Sequence, residues 1–294
     1  MELIASLAAV VAPVMVMSAV GFFWRKLGYA FDQVMVTNLV TLVGAPCLVF
    51  STFTKTKIPF AEFGVMVGAT LACLGLFAVV AGVGLRAGGL SLKVYLPSLV
   101  FPNIGNLGLP VCLFAFGERG LALAMVFFAV TTVGQFTIGP AIAAGEFQLG
   151  RLLKVPFVYA VILAMLLGGF GVPIPHWIAN TASLSGGLSV PLMLMALGVA
   201  LADLKATSLP RATAMSVVRI GMGVAGGWAV AHVLDLDPVQ RGVVVLESAM
   251  PVAVFNYLFA VRYDNTPDEV AGMVLVSTIL GYLTLPVLVA ALAL

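Results

Sequence analysis

Runs of about 20 apolar residues, the length that crosses the hydrocarbon core of a bilayer, can be drawn ten times along this chain. They lie near residues 4–24, 34–53, 62–85, 94–116, 120–143, 155–172, 181–202, 211–233, 240–260 and 270–292. Of the 294 residues, 62% are hydrophobic and 9% charged, whereas a soluble domain carries about 25% charged residues to keep its exterior wet. The solvent must be lipid, and the expected fold is an all-α integral membrane protein with ten transmembrane helices. The connections leave no room for a soluble domain of about 50 residues, so any chemistry sits in or beside the membrane.

Residues 3–23 are apolar enough for a signal peptide, but Arg25 and Lys26 follow the run instead of preceding it, which predicts a retained first helix. Loops after the odd spans hold nine cations (Arg25, Lys26, Arg86, Lys93, Arg151, Lys154, Lys205, Arg211, Arg262); the other side holds four (Lys55, Lys57, Arg119, Arg241). The positive-inside rule then places the odd loops in the cytoplasm and both termini outside it. The net charge of +2 gives no reason to expect a nucleic-acid partner. Cys47, Cys73 and Cys112 fall within spans without a CxxC pairing, and His176 and His232 lie near span ends. With no HExxH motif, neither a disulfide frame nor a metal site is expected.

Several helix-disturbing positions recur at a spacing of 145 or 146. Pro46 and Pro191 share it, as do Pro140 and Pro286, and Leu113-Phe114-Ala115 falls on Leu258-Phe259-Ala260. The expected organisation is two five-span repeats, residues 1–147 and 148–294. An odd number of spans inverts the second half, an architecture characteristic of secondary transporters though shared by some pores and enzymes. The same register sets Pro102-Asn103-Ile104-Gly105-Asn106 opposite Glu247-Ser248-Ala249-Met250-Pro251.

The fourth span, FPNIGNLGLPV over 101–111, therefore has a disturbed partner in the ninth. Proline removes a backbone donor and glycine tolerates unwound backbone. Unsatisfied amides in hydrocarbon cost several kcal/mol, so such breaks persist only where protein or enclosed water satisfies them. Spans four and nine are expected to be discontinuous and to cross near the midplane. Half-helix N-termini near Pro110 and Pro251 would attract an anion, assisted by Asn103, Asn106 and Ser248. One proline kink alone would need no function; two at matched positions point to a site.

Arg219 in the eighth span and Glu247 in the ninth are intramembrane charges, each costing at least about 2.5 kcal/mol at the bilayer centre. Arg219 offers a planar fork for a carboxylate, and Glu247 offers a place for a proton or cation. The bland alternative is a structural Arg219–Glu247 pair, and both readings stay open. Gln135, Asn38 and Asn256 are further polar candidates, equally suited to helix-to-helix hydrogen bonds. The methionines and most aromatics read as packing.

The PNxGNxGxP pattern of the fourth span, with the ninth and tenth read as ESAMPVAVFNYLFAVRYDNTPDEVAGMVLVSTILGYLTLPVLV, resembles the auxin efflux carrier family over essentially the whole chain. Bacterial members of that family include malate and malonate permeases. The resemblance implies two inverted five-helix repeats, with crossing helices four and nine in a mobile transport domain. That domain would move, elevator-fashion, against a scaffold of spans one, two, six and seven, through which such carriers dimerise. The family's crossing asparagine and prolines fall on Asn103, Pro110 and Pro251. The function implied is a non-enzymatic carrier of small organic anions, malonate or malate first, in a bacterial inner membrane. No cofactor is expected beyond a coupling proton or sodium ion. Auxin-like or bile-acid-like monocarboxylates, possible sodium symport and a membrane sensor of organic acids are the alternatives. An intramembrane enzyme is disfavoured because Ser248, Cys112 and the histidines form no nucleophile–base arrangement.

Overall fold

A computed structural model describes residues 2–56, 58–144, 156–170, 172–204 and 209–293. The junction expected at 147/148 and the cations Lys57, Arg151, Lys154 and Lys205 lie outside the described residues. Every regular element described is helical. In chain order they are α1 (Glu2–Lys26), α2 (Gln33–Leu39), a π-turn (Val40–Gly44), α3 (Ala45–Thr56), α4 (Phe60–Ala87) and α5 (Leu92–Val100). A second π-turn (Ile104–Gly108) leads into α6 (Leu109–Ala144), followed by α7 (Pro156–Gly169), α8 (His176–Gly187), α9 (Ser189–Asp203), α10 (Leu209–Val233), α11 (Pro238–Ala249), α12 (Val254–Arg262) and α13 (Pro267–Ala293).

Among the described residues seven stretches are long and apolar enough to cross a membrane: Leu7–Lys26, Gln33–Thr56, Phe60–Ala87, Ile104–Ala143, His176–Asp203, Leu209–Val233 and Pro267–Leu292. The expected windows at 94–116 and 240–260 are each interrupted, and the described helix in 155–172 is 14 residues long. Ile104–Ala143 spans 40 residues, about 60 Å at 1.5 Å per residue and twice a bilayer core of about 30 Å. It is divided at Gly117, whose φ of 65° and ψ of −158° are open to glycine and strained for other residues.

The helices pack in two groups. Apolar side chains gain little from each other in lipid, so small residues that let backbones approach do much of the joining. Gly21 faces the carbonyl of Met195 and Gly198 that of Ser18, so α1 and α9 cross backbone to backbone. Gly186 sits on the backbone of Cys47 and Leu48, fastening α8 to α3, and α7 also packs on α3. The second group gathers around α10, which lies on α11 and α13 and brings Gly223 against the carbonyl of Ser248; α4, α5 and α6 complete it. One link between the groups is Tyr282, whose hydroxyl bonds Ser18 Oγ at 2.7 Å.

Both π-turns end two residues before a proline, Pro46 in one case and Pro110 in the other. A proline ring clashes with the carbonyl four residues earlier and leaves it without a donor. One wide turn relieves that clash without breaking the helix. This corrects the expectation for Pro110: it widens a helix already under way and begins none.

Candidate functional site

The interruptions at 101–103 and 250–253 meet as a short antiparallel bridge, Pro102 against Val252. Asn103 N donates to Pro251 O at 2.7 Å, and Ala253 N to Phe101 O at 3.4 Å. Side chains complete the set. Val252 N donates to Ser277 Oγ at 3.0 Å, and Asn256 Nδ2 to Phe101 O at 3.0 Å. The unwound backbone is thus satisfied by protein, as its surroundings require. The bridged residues Pro102 and Val252, and the helix restarts Ile104 and Val254, are each 150 positions apart, whereas the expected register of 145 set Pro102 against Glu247.

Beside the bridge lies a cavity of about 520 Å³, within the roughly 300–1,000 Å³ usual for small-molecule sites. Two helix starts line it: Ile104, Gly105 and Asn106 after the first interruption, and Val254 and Phe255 after the second. The first amides of a helix have no intrahelical acceptor and carry its positive end. Asn103 is 4% exposed, lines the cavity, and its Nδ2 has no partner. Thr132 and Gln135 from α6 and Thr37 and Thr41 from the second span add polar atoms. Val36, Val40, Phe128, Phe136, Met193, Tyr257 and Leu258 make the remaining wall largely apolar. Among the described residues the only charge in the lining is Asp203, half-exposed and bonded to Arg25 at 2.8 Å.

Of the residues singled out from sequence, Asn103, Gly105, Asn106 and Gln135 line the cavity. Asn256 stands behind it, its Oδ1 accepting from Gln135 at 3.4 Å. Pro251 lies in the bridge itself. The helices restart at Ile104 and Val254, not at Pro110 and Pro251, and Asn106 belongs to the π-turn. Gly105 and Gly108 are helical too. A Cβ on Gly105 would meet the Phe128 ring, and one on Gly108 the Glu247 carboxylate, so they are small for close approach and not for unwinding. Asn38 is exposed and outside the lining. The sequence reading missed Gln33, Thr37 and Thr41, a polar stripe at i, i+4 and i+8 on one face of an apolar helix, which periodicity reveals.

Arg219, Glu247 and Ser248 are wholly buried and none lines the cavity. Among the described residues Arg219 and Glu247 form no ion pair, which corrects the structural-pair alternative. Consecutive helical residues diverge by about 100°, and α11 uses that divergence. Arg219 Nη2 donates to Ser248 O at 2.6 Å, with the guanidinium 5.2 Å from the Phe77 ring centroid. That carbonyl belongs to the negative end of α11, where a cation is favoured. Glu247 turns to α6, accepting from Cys112 Sγ at 3.7 Å. Glu247 Oε2 and Arg219 Nε and Nη1 have no partner.

Comparison with known proteins bears on this arrangement. A family model described as membrane transport protein matches residues 141–289, the stretch containing α11 and α12. An uncharacterized transporter of Methanocaldococcus jannaschii is 25% identical over 301 residues, covering 94% of this chain and 96% of that protein. An uncharacterized transporter of Methanothermobacter thermautotrophicus is 30% identical, covering 63% of each. The protein is a multi-pass membrane protein, and the chain belongs to the membrane transport protein family, that of the auxin efflux carriers its motifs resemble.

Proposed function

We propose that the protein is a secondary carrier of organic anions, with the carboxylate seated at the bridge between Pro102 and Val252. The observation that carries this is the convergence of two helix starts and the unpartnered Asn103 amide on one cavity. Donors left without acceptors in an apolar setting are costly unless a ligand supplies one, and helix N-termini favour that ligand being an anion. Asn106, Gln135 and Thr132 would take further oxygen contacts.

The same wall bears on which anion. Malonate or malate presents two carboxylates, and among the described residues no lysine, arginine or histidine lines the cavity to meet the second. One polar pole facing an aromatic and aliphatic wall suits an anion with a single carboxylate and an apolar body. We therefore favour the monocarboxylate alternative over the dicarboxylate expectation.

In this reading the chain crosses the plasma membrane ten times as two inverted five-helix repeats. The group around α10 moves against the group holding α1, α3, α7, α8 and α9, and two copies pair through the latter. The cavity reaches the end marked by Gln33 and Asp203, which the positive-inside rule makes cytoplasmic. Glu247 is the position for a coupling ion.

Uptake into proteoliposomes tests this. Saturable uptake of labelled indole-3-acetate, competed by phenylacetate and unaffected by malonate, is expected. Malonate uptake with no aromatic competition would return the site to dicarboxylates. Saturable binding without flux under any ion gradient would make the protein a sensor.

A further inference from the structure

Arg219 and Glu247 are the two charged residues of the described chain buried outright, both at 0% exposure. They lie on either side of α11 in the helix group that would move. Neither lines the cavity, yet Glu247 is connected to it through one turn. The Glu247 carboxylate lies against Gly108, whose amide donates to Asn103 O at 3.3 Å; Asn103, Ile104, Gly105 and Asn106 line the cavity. The connecting piece is the π-turn, a helix irregularity frequent at functional sites. A carboxylate at the amides of 104–106 and the carboxylate of Glu247 would thus occupy opposite sides of a single helical turn.

We propose that Glu247 takes up one proton for each monocarboxylate bound at the bridge, so that the anion and the proton cross together and the moving group stays electrically neutral.

This deepens the anion-carrier reading and rests on it. Arg219 supplies a fixed positive charge, because a guanidinium keeps its proton in proteins. In the empty carrier Arg219 and an ionised Glu247 sum to zero. Adding an anion one turn away makes the interior net negative, a state that low-dielectric surroundings oppose. A proton on Glu247 restores neutrality. Among the described groups on the elements packed against α11, those near Glu247 are Arg219 from α10, Cys112 from α6 and Cys73 from α4, while the π-turn brings no ionisable side chain. Other charged groups of α4, α6 and α13 have partners elsewhere: Glu62 and Arg119 bond each other, with Arg119 also on Asp237 at the start of α11, and Glu269 bonds Arg211 and Tyr95; the Tyr282 hydroxyl of α13 bonds Ser18. Sodium would need several oxygen ligands, whereas the contacts shown for the Glu247 carboxylate are with the Cys112 thiol and Gly108. A proton needs only the unpartnered Oε2.

The test uses purified full-length protein and indole-3-acetate, a carboxylate ionised in solution at pH 7.5, so that a proton taken up on binding goes to the protein. Adding the probe in weak buffer with a pH-indicator dye should consume one proton per molecule bound. The dissociation constant should rise about tenfold per pH unit where Glu247 is ionised in the free carrier, the slope that linkage gives for one proton per ligand. Glu247→Gln, which resembles the protonated form, should bind without proton uptake and without that slope. In vesicles it should keep exchange of labelled for unlabelled indole-3-acetate and lose net uptake, because its empty form carries an unbalanced charge. Sodium, substituted for potassium at constant pH, should change nothing. Binding of the probe by wild-type protein with no proton uptake overturns this inference and leaves the anion site standing, even should Glu247→Gln fail to fold. Net uptake by a folded Glu247→Gln variant also overturns it. Absence of binding for every carboxylate removes the anion site and this inference together.

Discussion

The main-chain amide of Asn103 donates to the carbonyl of Pro251 at 2.7 Å, tying the interruption after α5 to the one after α11. The structural work of Asn103 is therefore done by its backbone, and its side-chain Nδ2 is left for a ligand. Asn103→Ala should keep the bridge and change stability by less than about 1 kcal/mol. It should weaken monocarboxylate binding by about 1.5–3 kcal/mol, the worth of a hydrogen bond to a charged group, or roughly tenfold to a hundredfold. Calorimetric titration of wild type and variant measures both. An unchanged dissociation constant would remove Asn103 from the site.

Asn106 and Asn256 each stand three residues after a bridge-flanking residue, Asn103 or Ala253, yet they do different things. Asn256 is 3% exposed, donates to Phe101 O and accepts from Gln135. Asn106 lines the cavity. Asn256→Ala strands buried polar groups and should cost about 1–3 kcal/mol of stability. Asn106→Ala should cost under about 0.5 kcal/mol, as expected of a site that touches no such feature, and should act on affinity instead. Thermal melts of the two variants in one detergent decide; equal destabilisation would contradict the division of labour.

These two asparagines also mark how far sequence alone reached. Proline and asparagine inside apolar runs announced the interruptions at 101–103 and 250–253, because few other causes put such residues in hydrocarbon. Their mutual register was not legible from a fixed spacing. α4 has 28 residues and α10 has 25, whereas α5 has 9 and α11 has 12. Compensating differences in helix length keep the outer prolines in step and shift the bridge, Pro102 against Val252, to a separation of 150. Arg219 illustrates a different limit. Composition shows that a buried guanidinium needs a partner, but not that the partner is a helix-terminal carbonyl, that of Ser248. The aromatic wall of Phe128, Phe136 and Phe255 looked like packing, since a ring facing a cavity and a ring facing a neighbouring helix have the same spacing.

Gly223 is where α10 comes closest to α11. A methyl group there would overlap the carbonyl of Ser248, which is backbone and cannot swing aside. Gly223→Ala must therefore push the helices apart, and in doing so stretch the 2.6 Å bond from Arg219 to that same carbonyl. Overpacking of this kind costs about 1–3 kcal/mol, and weakening the only protein hydrogen bond shown for a buried guanidinium adds to it. Gly221, two residues earlier, has open space around its would-be methyl. Gly221→Ala should be neutral or slightly stabilising through the better helix propensity of alanine. A melting temperature for Gly223→Ala equal to that of Gly221→Ala would show that the α10–α11 contact is looser than the distances state.

Arg119, two residues past the turn at Gly117, bonds Glu62 at 2.6 Å and Asp237 at 2.7 Å, while Gln240 donates to Glu62 at 3.2 Å. Asp237 in turn caps α11 through the amides of Val239 and Gln240. One cation thereby fastens the start of α4, the bend in α6 and the start of α11, the elements that lead to the first interruption and to Glu247. Arg119 is 46% exposed at the side chain, so solvent screens much of the attraction and a single pair of this kind is worth under about 1 kcal/mol. The arrangement gains from holding two carboxylates at once with Glu62 at only 15% exposure. Arg119→Ala should lower stability by about 1 kcal/mol, and Arg119→Lys should recover much of it, because both bonds leave the single nitrogen Nη2 and an ammonium carries three donors. Salt provides the control. At 1 M ionic strength the Debye length falls to about 3 Å, so the gap between wild type and Arg119→Ala in chemical denaturation should shrink there. A gap independent of salt would mean that the residue acts through packing of its aliphatic stem and not through its charge.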